Sequence, residues 1–89
     1  MRELERLNTK VNDATYVFEE AAKSLSLLSD EVAKLTSPSS AEGRTARCVA
    51  VKTALLSRDE DRARALLIRY LGEDGIDEGF SVELKVLFI

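Results

Sequence analysis

The sequence predicts an all-α fold, an antiparallel helical hairpin followed by a short C-terminal β-strand or extended tail. Three observations lead to this prediction. Apolar residues recur with helical spacing through the first 36 residues, a serine-proline break follows, and a second stretch with the same spacing continues to Leu71. A chain of 89 residues is the size of one domain, so we treat residues 1–89 as a single helical domain.

The first helix is predicted at about residues 2–36 and resembles a coiled-coil strand. Apolar residues alternate there in steps of three and four for five heptads. This seam consists of Leu4, Leu7, Val11, Ala14, Phe18, Ala21, Leu25, Leu28, Val32 and Leu35. Ala14 and Ala21 flank Phe18, so a neighbouring backbone can approach while the ring fills the space between layers. We therefore expect Phe18 at the centre of the core.

The second helix, at about residues 38–71, is predicted to begin after the Ser37–Pro38 break. The residue before a proline is disfavoured in a helix, whereas proline suits the first helical position. The helical spacing continues with Ala46, Val49, Thr53, Leu56, Glu60, Ala63, Leu67 and Tyr70. Residues 57–60 have the composition of a capping box, so two shorter helices, at about 44–56 and 58–71, are an equal alternative.

A short connection makes two amphipathic helices antiparallel neighbours, which predicts the hairpin. The expected core residues are Phe18, Leu25, Leu28, Val49, Leu56 and Leu67. A second apolar stripe on helix two lies away from the seam and consists of Cys48, Val51 and Leu55. A helix that is apolar on two sides is buried on two sides, so we expect this stripe to meet a partner.

The spacing of apolar residues changes at the end of the chain. Residues 72–79 are predicted to form an acidic turn, and residues 80–89 then alternate with period two, which favours a β-strand over a helix. A lone strand leaves its backbone groups unpaired, so it would pair with another chain. The predicted partner interface therefore consists of Phe18, Cys48, Val51, Leu55, Phe80, Val82, Leu84, Val86 and Phe88.

The charge distribution argues against general polyanion binding, because the net charge is −3, although helix two is basic. The arginines that could contact a polyanion are Arg44, Arg47, Arg58, Arg62 and Arg69. Acidic residues interrupt this run, and no aromatic side chains are interleaved for base stacking. We interpret these arginines as partners of acidic groups on helix one.

The sequence lacks the usual equipment of an active site. It has no histidine, and its single cysteine, Cys48, lies between Arg44 and Lys52, whose charge could favour the thiolate. We interpret Cys48 as a small buried hydrophobe. The acidic turn from Glu73 to Glu78 lacks the spacing of a calcium loop. We therefore expect no catalytic residues, no cofactor and no metal.

The sequence thus predicts a non-enzymatic interaction module, such as a scaffold, an adaptor or a small subunit of a complex. The expected partner is a protein, either a second copy in a dimer or another helical chain. The alternative is a small nucleic-acid-associated or regulatory protein that uses the basic face of helix two. The single cysteine, the lack of a long apolar run and the charged residues after Met1 predict an intracellular, cytoplasmic protein without a membrane segment.

Overall fold

The computed structural model of the chain is all-helical, which confirms the predicted fold class. It describes the backbone of residues 2–89 and the side chains of residues 17–89. The helices are α1 (Arg2–Lys34), α2 (Ala41–Leu56), α3 (Glu60–Leu71) and α4 (Glu78–Val86). Within this described backbone there is no strand, and none of its helices is long and apolar enough to cross a bilayer. The predicted seam positions whose side chains lie outside the described residues are Leu4, Leu7, Val11 and Ala14.

Helices α1 and α2 lie side by side and run in opposite directions. Arg58 Nε, just beyond the end of α2, lies 3.1 Å from Glu19 Oε1, midway along α1. Near the start of α2, Arg47 donates a hydrogen bond of 3.0 Å to the carbonyl of Ala33 at the end of α1. Helix α2 therefore packs beside the second half of α1.

The side of α1 that is buried in the chain carries small and polar side chains. Its buried residues are Ala22, Ser26, Ser29, Asp30 and Ala33. The hydroxyl of Ser26 is fully buried and donates a hydrogen bond of 2.8 Å to the carbonyl of Ala50 on α2, so its polarity is satisfied. Small side chains at this contact allow the two helix backbones to lie close together.

The described part of the apolar seam of α1, from Phe18 to Leu35, remains largely exposed. Four of the predicted core residues are exposed: Phe18 to 55%, Leu25 to 45%, Leu28 to 62% and Leu56 to 47%. The other two, Val49 and Leu67, are partly buried. The expectation that Phe18 is central in the core of the chain is therefore wrong. Helical spacing identifies an apolar stripe, but the small-residue flank beside it packs closer to α2 and takes the intramolecular contact.

The hydrophobic core lies around α2, where α3, α4 and the end of α1 pack against it. Its buried residues are Ala33, Ala46, Ala50, Val51, Ala54, Ala63, Leu66, Tyr70, Phe80 and Leu84. Val51, Phe80 and Leu84 are therefore core residues of this chain instead of the partner contacts that we predicted, because α3 and α4 fold back onto α2. Cys48 and Leu55 pack against the same core and are partly buried.

The connection between α1 and α2 is a tight turn whose geometry requires a glycine. Helix α2 begins at Ala41, between the two predicted starts near residues 38 and 44. Its N-cap is Ser40, whose hydroxyl accepts a hydrogen bond of 3.0 Å from the backbone N–H of Gly43. A Cβ atom at position 43 would lie 1.7 Å from the carbonyl oxygen of Ser37. Only glycine therefore allows the turn to close against the first turn of α2.

Helix two is broken near Ser57, as the second of our two alternatives predicted. Helix α2 ends at Leu56 and α3 begins at Glu60. Between them Arg58 has a positive φ of 61°. Asp59 caps α3 by accepting a hydrogen bond of 3.1 Å from the backbone N–H of Arg62. This reversal lets α3 pack back against α2.

The predicted C-terminal strand is wrong, because residues 78–86 form helix α4. Asp77 caps this helix and accepts a hydrogen bond of 2.7 Å from the backbone N–H of Phe80. Phe80 and Leu84, which are one helical turn apart, enter the core, whereas Val82 and Val86 are exposed. A helix satisfies its own backbone hydrogen bonds, which a lone strand cannot do. Phe88, beyond the helix, is partly buried against the core.

We predict that truncating the two apolar side chains Phe80 and Val82 has very different effects on stability. Phe80→Ala should lower the free energy of unfolding by about 3–5 kcal/mol because it leaves a cavity in the core. Val82→Ala should change it by about 0.5 kcal/mol or less, because Val82 is 53% exposed. Urea denaturation followed by circular dichroism measures both. Equal losses would contradict α4, since residues 80 and 82 share one face only in a strand.

Candidate functional site

An open apolar groove lies between α1 and α2. Its larger section has a volume of about 450 Å³ and is lined by Leu28, Ser29, Val32, Ala41, Glu42, Thr45, Ala46 and Val49. A smaller section of about 180 Å³ is lined by Phe18, Ala21, Ala22, Leu25, Thr53 and Leu56. We call these two sections together the α1–α2 groove. They lie end to end along the same pair of helices, so the exposed seam of α1 forms one wall of the groove.

The lining of the α1–α2 groove is almost uncharged. Glu42, at the start of α2, is the one charged residue among those that line it in the described part of the chain. The large side chains on its α1 wall, such as Phe18 and Leu28, remain about half exposed. Monomeric proteins rarely leave a long contiguous apolar surface of this kind in water, and such surfaces mark interaction sites.

On the other side of α1, a polar cluster joins the ends of three helices. The guanidinium of Arg47 is 2% exposed and forms two hydrogen bonds of 2.7 Å to the carboxylate of Glu73. It also donates to three backbone carbonyls, at 2.9, 3.0 and 3.2 Å: those of Gly43, Ala33 and Thr36. The hydrogen bond to Glu73 raises the pKa of Arg47 further above its ordinary value, so Arg47 stays charged.

A second part of this cluster is centred on the buried carboxylate of Asp30. The hydroxyl of Tyr70 donates a hydrogen bond of 2.6 Å to Asp30, and Arg69 pairs with the same carboxylate. Burial, together with the hydrogen bond to Asp30, raises the pKa of Tyr70 well above its ordinary value. The guanidinium groups of Arg47 and Arg69 lie 5.5 Å and 5.3 Å from the centre of the Tyr70 ring, within cation–π range.

A cavity of about 360 Å³ lies beside this cluster, but the charged groups that line it are already paired. Arg47 pairs with Glu73, while Arg69 and Lys34 pair with Asp30. A ligand there would have to replace these interactions. We therefore interpret the polar cluster as structural and take the α1–α2 groove as the candidate functional site.

The predicted polyanion contacts all interact within the chain. Arg47 is buried, as described above, and Arg69 pairs with Asp30. Arg44 pairs with Asp77 and lies 5.5 Å from the ring centre of Phe80. Two others interact with α1: Arg58 with Glu19, and Arg62 Nε with the hydroxyl of Ser26 at 3.4 Å. Among the side chains that the structure describes, these five arginines therefore do not form a row of unpaired charges for a nucleic acid.

The environment of Cys48 does not favour a thiolate. Burial raises the pKa of the Cys48 thiol, and the charge of Glu83 raises it further, whereas Lys52 lowers it. The nearby positive charge that suggested reactivity is therefore outweighed. Among the described side chains there is also no cluster of histidine, cysteine or carboxylate residues that could hold a metal ion.

The groove residues were only partly identified from the sequence. Phe18 was predicted as a partner contact and lies in the groove. Leu25, Leu28, Val49 and Leu56 were predicted as core residues but line the groove instead. The sequence signal that distinguishes a core position from a groove position is the row of small residues beside the seam. These small residues, instead of the seam, make the closest contact with α2.

Comparisons of this chain with protein-family models, with curated proteins and with solved structures find no match.

We predict that the Arg47 cluster contributes strongly to stability. Arg47→Met should lower the free energy of unfolding by about 3–5 kcal/mol, because it leaves the Glu73 carboxylate and three carbonyls without their donor. Arg64→Met is the matched control: Arg64 pairs with Glu60 one turn away, both side chains are exposed, and the change should cost about 0.5 kcal/mol or less. Urea denaturation measures both variants, and similar losses would contradict the role of Arg47.

We also predict a loss of stability in alkaline solution that depends on Tyr70. The folded chain holds the phenolic proton more tightly than the unfolded chain, whose tyrosine pKa is about 10. The resulting stabilisation is complete below that pH and is lost as the pH rises above it. The free energy of unfolding should therefore fall above about pH 10 and fall less steeply in Tyr70→Phe. Parallel slopes for the two proteins would contradict this prediction.

Proposed function

We propose that this protein is a non-enzymatic interaction module that binds an amphipathic helix in the α1–α2 groove. The observation that supports the proposal is the exposure of the most regular apolar stripe of the chain along an open groove. The same helix already makes its intramolecular contacts through a different, small-residue flank. The described part of the seam therefore remains available for binding after the chain has folded.

The dimensions of the groove suit a helix of about four turns. Helix α2, which forms one wall, has 16 residues, a length of about 24 Å at 1.5 Å per residue. On the other wall, Phe18, Leu25 and Val32 recur every seven residues, which is every second helical turn. A bound helix with apolar residues at matching intervals would bury them between α1 and α2.

Most of the core lies outside the groove. Among the described side chains, Ala46 is the one core residue that also lines it, whereas Val51, Tyr70 and Phe80 are enclosed elsewhere. The groove is therefore free to bind without unfolding any part of the chain. Binding through a preformed surface of this kind carries a small ordering cost.

This proposal retains the predicted coiled-coil-like association and the predicted role as a scaffold, an adaptor or a small subunit. It no longer includes binding through a C-terminal strand. Residues 78–86 are helical, so strand pairing with a partner is no part of the proposed function. Val82 and Val86 are exposed on α4, away from the groove lining. The binding surface is thus carried by α1 and α2.

Site-specific photo-crosslinking tests whether the groove is the binding surface. A benzophenone amino acid replaces Thr45, an exposed residue on the rim of the groove, so the apolar seam stays intact. The matched control carries it at Ile68, which is exposed on α3. Illuminated cells should yield a discrete crosslinked product through position 45 and none through position 68. Mass spectrometry then identifies the crosslinked segment.

A crosslink at position 45 to an amphipathic helical segment, from any chain, supports the proposal. The proposal fails if position 45 gives no product, or if positions 45 and 68 give the same products.

A further inference from the structure

We infer that the helix bound in the α1–α2 groove is α1 of a second copy, paired with the first in the antiparallel direction. This inference rests on the proposed function and names its partner. Two copies would be related by a two-fold axis that passes between Phe18 and Ala21. The first half of α1 from each copy would then occupy the groove of the other.

The length of α1 fits this arrangement. Helix α1 has 33 residues, about 50 Å, whereas α2 has 16 residues and packs beside its second half. The half of α1 that precedes Glu19 is about 25 Å long, which matches the groove. An antiparallel pair centred near Phe18 therefore places each first half against one complete groove, and the assembly closes with two-fold symmetry.

The register of the seam also favours the antiparallel direction. Setting Phe18 opposite Ala21 of the second copy places every one of the ten seam positions opposite another. The remaining pairs, with the positions before 17 taken from the sequence alone, are Leu25 with Ala14, Leu28 with Val11, Val32 with Leu7, and Leu35 with Leu4. Large residues meet small ones near the axis, whereas a parallel pair would set alanine against alanine and leave voids.

The charges that flank the seam agree with the same register. It brings position 10, a lysine in the sequence, level with Glu31 of the second copy, and symmetry repeats this pair. On the same flank of the seam, the register also places Val17 level with Ser24 of the second copy, and neither residue is charged. In the parallel direction none of the flanking positions forms an oppositely charged pair. Charge complementarity therefore distinguishes the two directions.

The exposed apolar area is of the size that a stable dimer needs. Six large groove or seam side chains are between 41% and 86% exposed in the described part of each copy: Phe18, Leu25, Leu28, Val32, Leu35 and Leu56. At roughly 100 Å² each, they supply about 600 Å² per copy. A standard interface buries about 800 Å² per partner, and the first half of α1 would supply the remainder.

Sedimentation equilibrium of the purified chain, at about 1–100 μM, tests this inference with a closely matched pair of variants. Leu28 lines the groove, whereas its neighbour Leu27 is also exposed, at 47%, but lies outside it. We expect the wild type to be a dimer, Leu28→Glu to weaken dimerisation at least about 30-fold, and Leu27→Glu to dimerise like the wild type. Circular dichroism of both variants checks that they remain folded.

The direction of pairing is tested by the distance between two spin labels. The label is attached at Lys34→Cys in a Cys48→Ser background and measured by pulsed electron resonance. In the antiparallel register the two labels are separated by about 45 Å along the helix pair, whereas in a parallel pair they lie within about 20 Å.

A monomeric wild type, a Leu28→Glu variant that dimerises normally, or a short label distance would each overturn the inference. The proposed function is tested separately. A crosslink from position 45 to a different helical chain would support the proposed function and contradict the inference that the bound helix is α1 of a second copy. A dimer with the long distance and the Leu28-specific loss supports both.

Discussion

The buried charge of Arg47 is the constraint on which the rest of the structure depends. A guanidinium enclosed in protein must have its donors satisfied, and here one carboxylate and three backbone carbonyls do so. These acceptors come from the end of α1, the start of α2 and the segment after α3. The turn that brings the carbonyl of Gly43 within reach is closed so tightly that only glycine fits at that position. One side chain thus determines how three helices meet.

Helix α1 uses two adjacent faces for two purposes. Its small and polar face is buried within the chain, where Ser26 donates to the carbonyl of Ala50 on α2 and Asp30 accepts from Tyr70 on α3. Its large apolar face remains in the groove, where Leu28 and its neighbours are open to solvent. The tight intramolecular contact is possible because the large side chains point elsewhere. The exposed seam is therefore a consequence of how the chain packs, and it supports the proposed binding role.

The sequence allowed correct prediction of the helical class and offered the break near Ser57 as one of two equal alternatives, because periodicity and capping residues are local signals. It did not reveal which flank of α1 faces α2, since that choice depends on how closely two backbones approach. The tail was misassigned because the period-two pattern from Phe80 also contains a helical i, i+4 pair, and Asp77 supplies the cap. The groove could not be predicted from the sequence, because it exists only where α2 packs beside the seam of α1 without covering it.

The placement of the core on the far side of α2 has an evolutionary consequence. The large side chains in the groove, such as Leu25 and Leu56, are about half exposed, whereas Tyr70 and Phe80 are enclosed in the core. Substitutions at positions such as Leu25 or Leu56 should therefore destabilise the fold less than substitutions in the core. Under the proposed function, single substitutions in the groove would change binding specificity while the core residues stay the same. Folding and the proposed recognition would thus evolve through largely separate sets of residues.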